Sequence, residues 1–277
     1  MSSTIDALMG GPRSKLFSAV MSRDSDEVAK ELDNGADANA MEPMFAKAFI
    51  LGTPLMQAAT LGDLESVKAL ANRTKPNVKT RLGRTALMHA AAASHAPIVE
   101  LLAKMENPRE QDESGRTALF MIGGDFHTRS QSLSEESQID CARWLLKFGG
   151  AELALVADKN GITALMAAAS NRNERLGIFL SEHSDIRAVD GNGRTALMRA
   201  AATGCVELVA ALAPLSDIMA VDTNGVSATE LAGASMMGSD VREKICGILL
   251  AAHEARVLES SVDGMAPSIG GQRRASL

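Results

Sequence analysis

The sequence has no tyrosine, one tryptophan and only 3% aromatic residues in all. Its core must therefore be closed by small and flexible side chains. The 46% of residues that are hydrophobic are chiefly Ala, Leu, Val and Met, a set that suits closely approaching helices and excludes a disordered chain. A basic excess is also missing. A net charge of −6 and a pI near 5.5 exclude a nucleic-acid binder that works by neutralising phosphates. The three cysteines, Cys141, Cys205 and Cys246, are far apart, odd in number and free of any Cys-x-x-Cys spacing. That excludes a disulfide framework and points to reduced thiols in a cytosolic protein. No run of about 18 apolar residues is present, so no membrane span is expected. No apolar stretch follows basic residues at the start, so no signal peptide is visible.

What is there is repetition. The string GRTALM occurs at Gly83–Met88 and again at Gly193–Met198, with near copies at Gly52, Gly115 and Gly161. Its threonine recurs every 32 residues from Thr53 to Thr85 to Thr117, and from Thr163 to Thr195 to Ser227; only the step from Thr117 to Thr163 is longer, at 46. A fixed step of this length is the signature of stacked supersecondary units, because one unit alone cannot bury its own apolar face.

Each unit can be read locally. Asn-Gly or a similar pair, as in Asp190-Gly-Asn-Gly, supplies the positive φ that a tight hairpin needs. The threonine that follows is a helix N-cap candidate, and Pro54 stands at a first helical position. A short alanine-rich helix (196–202 in one unit) is ended by Thr203-Gly204. A second helix follows, with Val206, Val209 and Leu212 at helical spacing. An extended linker then leads to the next turn. The first unit begins at Ser14, and six more begin at Thr53, Thr85, Thr117, Thr163, Thr195 and Ser227. Ala-Thr-Glu-Leu in the seventh puts polar groups where the others have Leu-Met, as a terminal unit requires.

This unit resembles the ankyrin repeat, whose signature contains Thr-Pro-Leu-His-x-Ala; the segment from Thr53 to Leu70 is the closest copy, and Gly35-Ala-Asp-Ala-Asn-Ala resembles the family's linker. The resemblance runs from about residue 13 to 257. It implies an all-α solenoid of about seven helix-turn-helix units with short β-hairpin turns. The family's histidine is replaced by Met56, Met88, Met166 and Met198 and by Phe120, so a hydrogen-bonded ladder between units should become an apolar one. Methionine at that place is similar to the Protein 21.1-like ankyrin proteins of parasitic protists and to the ankyrin tails of NEK-type kinases.

The resemblance also implies a binding surface for another protein on a concave face built from hairpin tips and first helices. Carried over residue by residue, the tips are Arg81, Leu82 and Arg84; Glu113, Ser114 and Arg116; Lys159, Asn160 and Ile162; Asn192 and Arg194; and Thr223, Asn224 and Val226. The helix ends add Thr60, Leu61, Ala92, Ala93, Ser170, Asn171 and Thr203. His89 and Arg199 sit at a variable place beside the repeated frame and are expected to line the groove. Arg84, Arg116 and Arg194 share one repeat position, and with Arg81 and Arg199 they could form a basic strip for an acidic or phosphorylated partner segment lying across units two to four. The alternative is ordinary solvated arginine beside the turn aspartates Asp112 and Asp190.

Two segments fall outside the repeat. Residues 124–137 are polar and Ser-rich and are expected to be an insertion between the two helices of unit four, either a tolerated loop or a partner-contact or phosphorylation loop. The last helix is expected over about Ser239 to Leu258. Residues 1–12 read as flexible and 259–277 as a disordered tail. In that tail, Arg273-Arg-Ala-Ser-Leu resembles a substrate site for basophilic kinases, with Ser276 as acceptor. The opening Met and the polar end-unit suggest a complete protein, not the ankyrin part of a larger kinase.

Catalytic patterns are missing. The histidines His89, His95, His127, His183 and His253 are scattered, and no phosphate loop, nucleophile elbow or metal-ligand spacing occurs. The turn Asp190-x-Asn-x-Arg lacks the glycine and acidic residue that a calcium loop needs. The cysteines and Trp144 are expected to pack. The reading is a non-enzymatic interaction module without cofactor or metal, acting as scaffold or adaptor. The competing reading is a regulator of an enzyme such as a kinase, switched at Ser276 or by the unit-four insertion.

Overall fold

The computed structural model describes residues 14–43, 51–124, 134–235 and 237–263. Fourteen α-helices appear among them, and they fall into seven consecutive pairs. The first helices of the pairs are α1 (Lys15–Ser22), α3 (Pro54–Leu61), α5 (Ala86–Ala92), α7 (Ala118–Gly124), α9 (Ala164–Ser170), α11 (Ala196–Thr203) and α13 (Ala228–Ala234). The second helices are α2 (Ser25–Asp33), α4 (Leu64–Ala71), α6 (Ala96–Ala103), α8 (Glu135–Gly149), α10 (Glu174–Ser181), α12 (Val206–Leu212) and α14 (Ser239–Asp263). First helices pack on first helices and second on second, unit after unit, so two parallel ladders run the length of the stack. This is the solenoid that the period implied. β-pairing among the described residues is confined to Glu42–Pro43 with Leu51–Gly52 and to isolated bridges at Ala157–Thr163 and Val221–Ser227.

Every first helix starts for the same reason. A hydroxyl at the N-cap accepts the backbone N–H three residues on: Ser14 from Phe17, Thr53 from Met56, Thr85 from Met88, Thr117 from Phe120, Thr163 from Met166, Thr195 from Met198 and Ser227 from Glu230. Such a cap contributes about 1 kcal/mol. The first helices of units one, two, three, five and six also stop alike. Nine residues after the cap, Arg23, Gly62, Ser94, Arg172 and Gly204 adopt left-handed φ between 55° and 86°. Only two of these five are glycine, so the sequence advertises the stop poorly.

The alanines let first helices approach closely. A Cβ on Gly123 would stand 3.1 Å from the Ala168 backbone nitrogen, so α7 and α9 touch nearly backbone to backbone. The methionines that replace histidine are buried, with Met56, Met88, Met166 and Met198 each 1% exposed. They belong to one continuous core cluster that runs from Leu16 to Leu249. The inter-unit seam at this place is therefore apolar, as expected. At Met56 the thioether also accepts the Thr53 N–H at 3.4 Å.

Two segments differ from the expected outline. Residues 134–137 are not loop: Ser134 caps α8 through the Ser137 N–H, and Glu135 and Glu136 fill its first turn, where the helix dipole favours acids. This makes α8 fifteen residues long. At the other end α14 continues past Leu258 to Asp263, so residues 259–263 are helix and not tail. The rest of the insertion (125–133), the first residues, the remaining tail and Ser276 lie outside the described residues.

The turns between units set the spacing. Gly83 has φ 75°, and a Cβ there would stand 2.8 Å from the backbone nitrogen of Glu113 in the next tip; Gly225 has nearly the same φ, 77°, but faces nothing within 4 Å. Both positions carry the left-handed penalty of about 1–2 kcal/mol for a side chain. Gly83→Ala is therefore expected to destabilise by about 1–3 kcal/mol more than Gly225→Ala in paired urea-unfolding curves, because only the first adds an overpacking cost. Equal losses would show that the close approach at Gly83 has no energetic weight.

Candidate hairpin-tip interface

Each tip is folded by one residue. Asp112 Oδ1 accepts the N–H groups of Ser114 and Arg116, both at 2.9 Å. Asp158, Asp190 and Asp222 do the same for Asn160 and Ile162, Asn192 and Arg194, and Asn224 and Val226, at 2.8–3.1 Å. In the first of these turns Thr80 replaces the aspartate, and its Oγ1 accepts from the Arg84 N–H at 3.1 Å. Only the glycine of each Asn-Gly pair takes positive φ; Asn160, Asn192 and Asn224 do not. The turns are still tight hairpins, closed by the Asp112 N–H donating to Arg116 O and its counterparts in the later units. Each is an ordinary turn closed by a left-handed glycine, since the aspartate already satisfies the N–H groups that follow it.

Successive tips are joined through their backbones. The Glu113 N–H donates to Leu82 O at 3.0 Å, Lys159 to Ser114 at 2.9 Å, Gly191 to Asn160 at 2.7 Å and Thr223 to Asn192 at 2.9 Å. One such bond crosses each of four unit boundaries, including the one that spans the insertion. The side chains of Arg81, Leu82, Glu113, Ser114, Lys159, Asn160, Asn192, Thr223 and Asn224 are left exposed in a row. Between the tips of units five and six lies an open cleft of about 760 Å³, lined by Lys159, Asn160, Ile162, Val189, Asn192 and Arg199.

The other expected residues are placed differently. Arg116 grips Asp112 Oδ2 through two nitrogens, at 2.9 and 2.7 Å, and Arg84 lies 3.8 Å from the same oxygen. Arg194 Nε donates to Asp222 Oδ2 at 3.1 Å, and Arg199 pairs with Asp190 and donates to Ser170 Oγ at 2.7 Å. Four of the five strip arginines therefore sit on turn carboxylates whose side chains are almost wholly buried. Arg84 and Arg194 reach the aspartate of the following turn and so staple neighbouring units. Ile162 and Val226 are half-buried. His89 is interior, at 9% exposure, with Nδ1 3.4 Å from Thr60 Oγ1. Much of the helix-end set is likewise inter-unit glue. Thr203 donates to Ala169 O at 2.8 Å, and Asn171 donates to Gly123 O. Ala92 and Ala93 are buried.

Electrostatics follow from this arrangement. Burial opposes ionisation of Asp190, but hydrogen bonds from Arg194, Arg199 and Asn192 hold its carboxyl below the ordinary range. Asp222 is held low chiefly by the Val226 N–H, with Asn224 and Arg194 adding to it. Burial pushes the Cys141 thiol up to about 12, so it stays protonated and packs as an apolar group. Among the described residues no group of three or more His, Cys, Asp or Glu could hold a metal ion. No described helix is long and apolar enough to cross a membrane.

With helix pairs, aspartate turns and joined tips in place, comparison with known proteins decides the family. The description "Ankyrin repeats (3 copies)" matches residues 55–123 and 131–224. The chain belongs to the ankyrin repeat family. The match is to ankyrin repeats in general. Among solved structures, the chain is similar to the ankyrin repeat domain of Bcl-3, described as a unique member of the IkappaB protein family. The TM-score is 0.62 at 20% identity, over 86% of this chain and 98% of that one. A likeness at that identity speaks for the fold. None of the curated proteins matches the chain. Ankyrin repeats are protein–protein interaction modules.

A pH dependence follows from the depressed carboxyls. A group held low in the folded state contributes its full stability above its unfolded value, about 3.9 for aspartate, and loses it as pH falls through the folded value. Stability measured by urea unfolding is expected to be flat near neutrality on account of these groups and to fall below about pH 4. Asp190→Ala should cost about 2 kcal/mol at pH 7, because it leaves two backbone N–H groups and a guanidinium without their acceptor. A variant as stable as the parent would contradict the structural role of the turn aspartate.

Proposed function

We propose that this ankyrin stack is a non-catalytic interaction protein, a scaffold or adaptor, which holds a segment of another protein along its row of hairpin tips. The observation that carries the reading is the division of labour at the tips. Their backbones are committed to the neighbouring tip. Their side chains vary from unit to unit and face solvent. A rigid row of variable exposed side chains is suited to specifying a partner, because little ordering entropy is lost on binding.

The charge that such a partner meets differs from a continuous arginine strip. Arg84, Arg116, Arg194 and Arg199 hold turn aspartates, whereas Arg81 and Lys159 are exposed and have no carboxylate partner among the described residues. We therefore place the partner's acidic or phosphorylated groups opposite Arg81 and Lys159, with an apolar side chain in the cleft walled by Ile162 and Val189. The double variant Arg81→Glu/Lys159→Glu tests this. Neither side chain supports the fold, so the melting temperature should change little. Affinity capture with quantitative mass spectrometry should lose, by about tenfold or more, a protein that the parent retains. Capture of an unchanged set of proteins by a folded double variant would defeat the reading.

A further inference from the structure

The aromatic residues fall into two groups: two are interior, and Trp144 and Phe179 pack against the edge of the core while Phe148 is exposed. Phe17 and Phe120 are 0% and 7% exposed. Trp144, Phe148 and Phe179 instead lie on α8 and α10, in the ladder of second helices away from the tips. In register with the repeat, Trp144 shares its place with Leu101 and Phe179, and Phe148 shares its place with Met105 and His183. These pairs, four residues apart along neighbouring second helices or just past their ends, line up across units three to five. Trp144 stacks on Phe148 with centroids 6.1 Å apart, and Phe179 meets His183 edge-on at 5.2 Å. Met105 and Phe148 remain 41% and 37% exposed.

Cations cover the rings. Lys147 Nζ stands 4.6 Å from the Trp144 centroid and 5.7 Å from that of Phe148; Lys104 is 5.9 Å from Phe148, and Arg143 is 5.8 Å from Phe179. Lys104, Arg143 and Arg175 each hold one carboxylate, from Glu100, Asp140 and Glu135. Those pairs are solvent-exposed, where a pair contributes about 0–1 kcal/mol and exchanges readily. Lys147 has no carboxylate at all among the described residues. A groove of about 330 Å³ opens beside the stripe, lined by Ile139, Arg143, Arg175, Ile178, Phe179 and, at one side, the carboxylate of Glu207. Stacking within one helix adds only a few tenths of a kcal/mol to its stability. That gain does not account for half-exposed aromatics gathered under cations in a chain otherwise so poor in rings.

We propose that the second-helix face of units three to five is a second docking surface, built for an acidic segment of another protein that carries apolar side chains. Its carboxylates would meet Lys104, Arg143 and Lys147, and its apolar groups would cover Trp144 and Phe148, completing a desolvated aromatic anchor. The stripe crosses two helix spacings, about 16–20 Å, which about six extended residues span. The surface stands apart from the tips, so this inference does not depend on what the tips bind.

Trp144 is the only tryptophan in the chain, so its emission reports on this surface alone. The probe is a synthetic peptide of repeated Glu-Glu-Leu, titrated into the full chain, with a Lys-Lys-Leu peptide as control. Parallel arms use vesicles of phosphatidylserine and phosphatidylcholine, and a dilution series of the protein alone followed by sedimentation. The expected result is a saturable blue shift with the acidic peptide only. The shift should weaken about tenfold in Lys104→Glu/Lys147→Glu and stay unchanged in Lys15→Glu, at an exposed side chain of α1 with no part in either surface. Circular dichroism checks that both variants fold. No shift with the acidic peptide, an equal shift with the basic one, or indifference to the double charge reversal would overturn the proposal. So would a shift produced by vesicles or by self-association in place of the peptide.

Discussion

A single backbone hydrogen bond between successive hairpin tips, repeated at four unit boundaries, is the constraint on which the rest of this stack depends. It brings the turn glycine close to the next tip: a Cβ would lie 2.8 Å from the incoming nitrogen at Gly83 and 3.1–3.2 Å from the next backbone at Gly115, Gly161 and Gly193. That approach sets the rise from unit to unit. The rise in turn decides how closely the alanine-rich first helices meet, and so why small residues fill them. Methionine completes the seam because its unbranched, polarizable chain can follow an irregular gap. The turn, the helix surface and the core thus express one geometric requirement at three places.

The same requirement sorts residues between structure and recognition. Aspartates that look like a charged surface in the sequence are buried turn-formers, and the arginines beside them are their counter-ions. What stays available is the outermost side chain or two of each tip. On the opposite ladder the core takes one face of each second helix, through Leu102, Leu145 and Leu180, and leaves another face free to vary. A stack of this kind has two long variable surfaces, and here they carry different chemistry: mixed polar tips on one, caged aromatics on the other.

The period, the N-caps and the helix pairs were legible because each is written in short-range chemistry. A hydroxyl three residues ahead of an apolar position reads the same in every unit. The helix stops were not, because Arg23, Ser94 and Arg172 adopt left-handed φ under tertiary packing, which no local rule demands. The tight hairpins were legible, but that only their glycine takes positive φ was not, because the preceding aspartate satisfies the N–H groups that follow it. Repeat position did identify the tips that stay exposed. It could not separate Arg81 and Lys159 from Arg84 and Arg116, since the difference lies in which unit's aspartate each guanidinium or ammonium can reach. His89 illustrates the same limit: its place varies between units, yet here the side chain is interior, with Nδ1 3.4 Å from Thr60 Oγ1. The aromatic stripe was visible only as letters, Trp144 among them, until the register of three second helices placed those letters side by side.

Amide hydrogen exchange tests the tip ladder most directly. Glu113, Lys159, Gly191 and Thr223 are residues of exposed turns, where an unbonded N–H exchanges rapidly. If the tips are joined as described, these four amides exchange slowly and with similar protection, close to that of the helices they connect. Exchange at the rate of a free turn at all four would mean that the tips are not bonded and that the stack is held by helix packing alone.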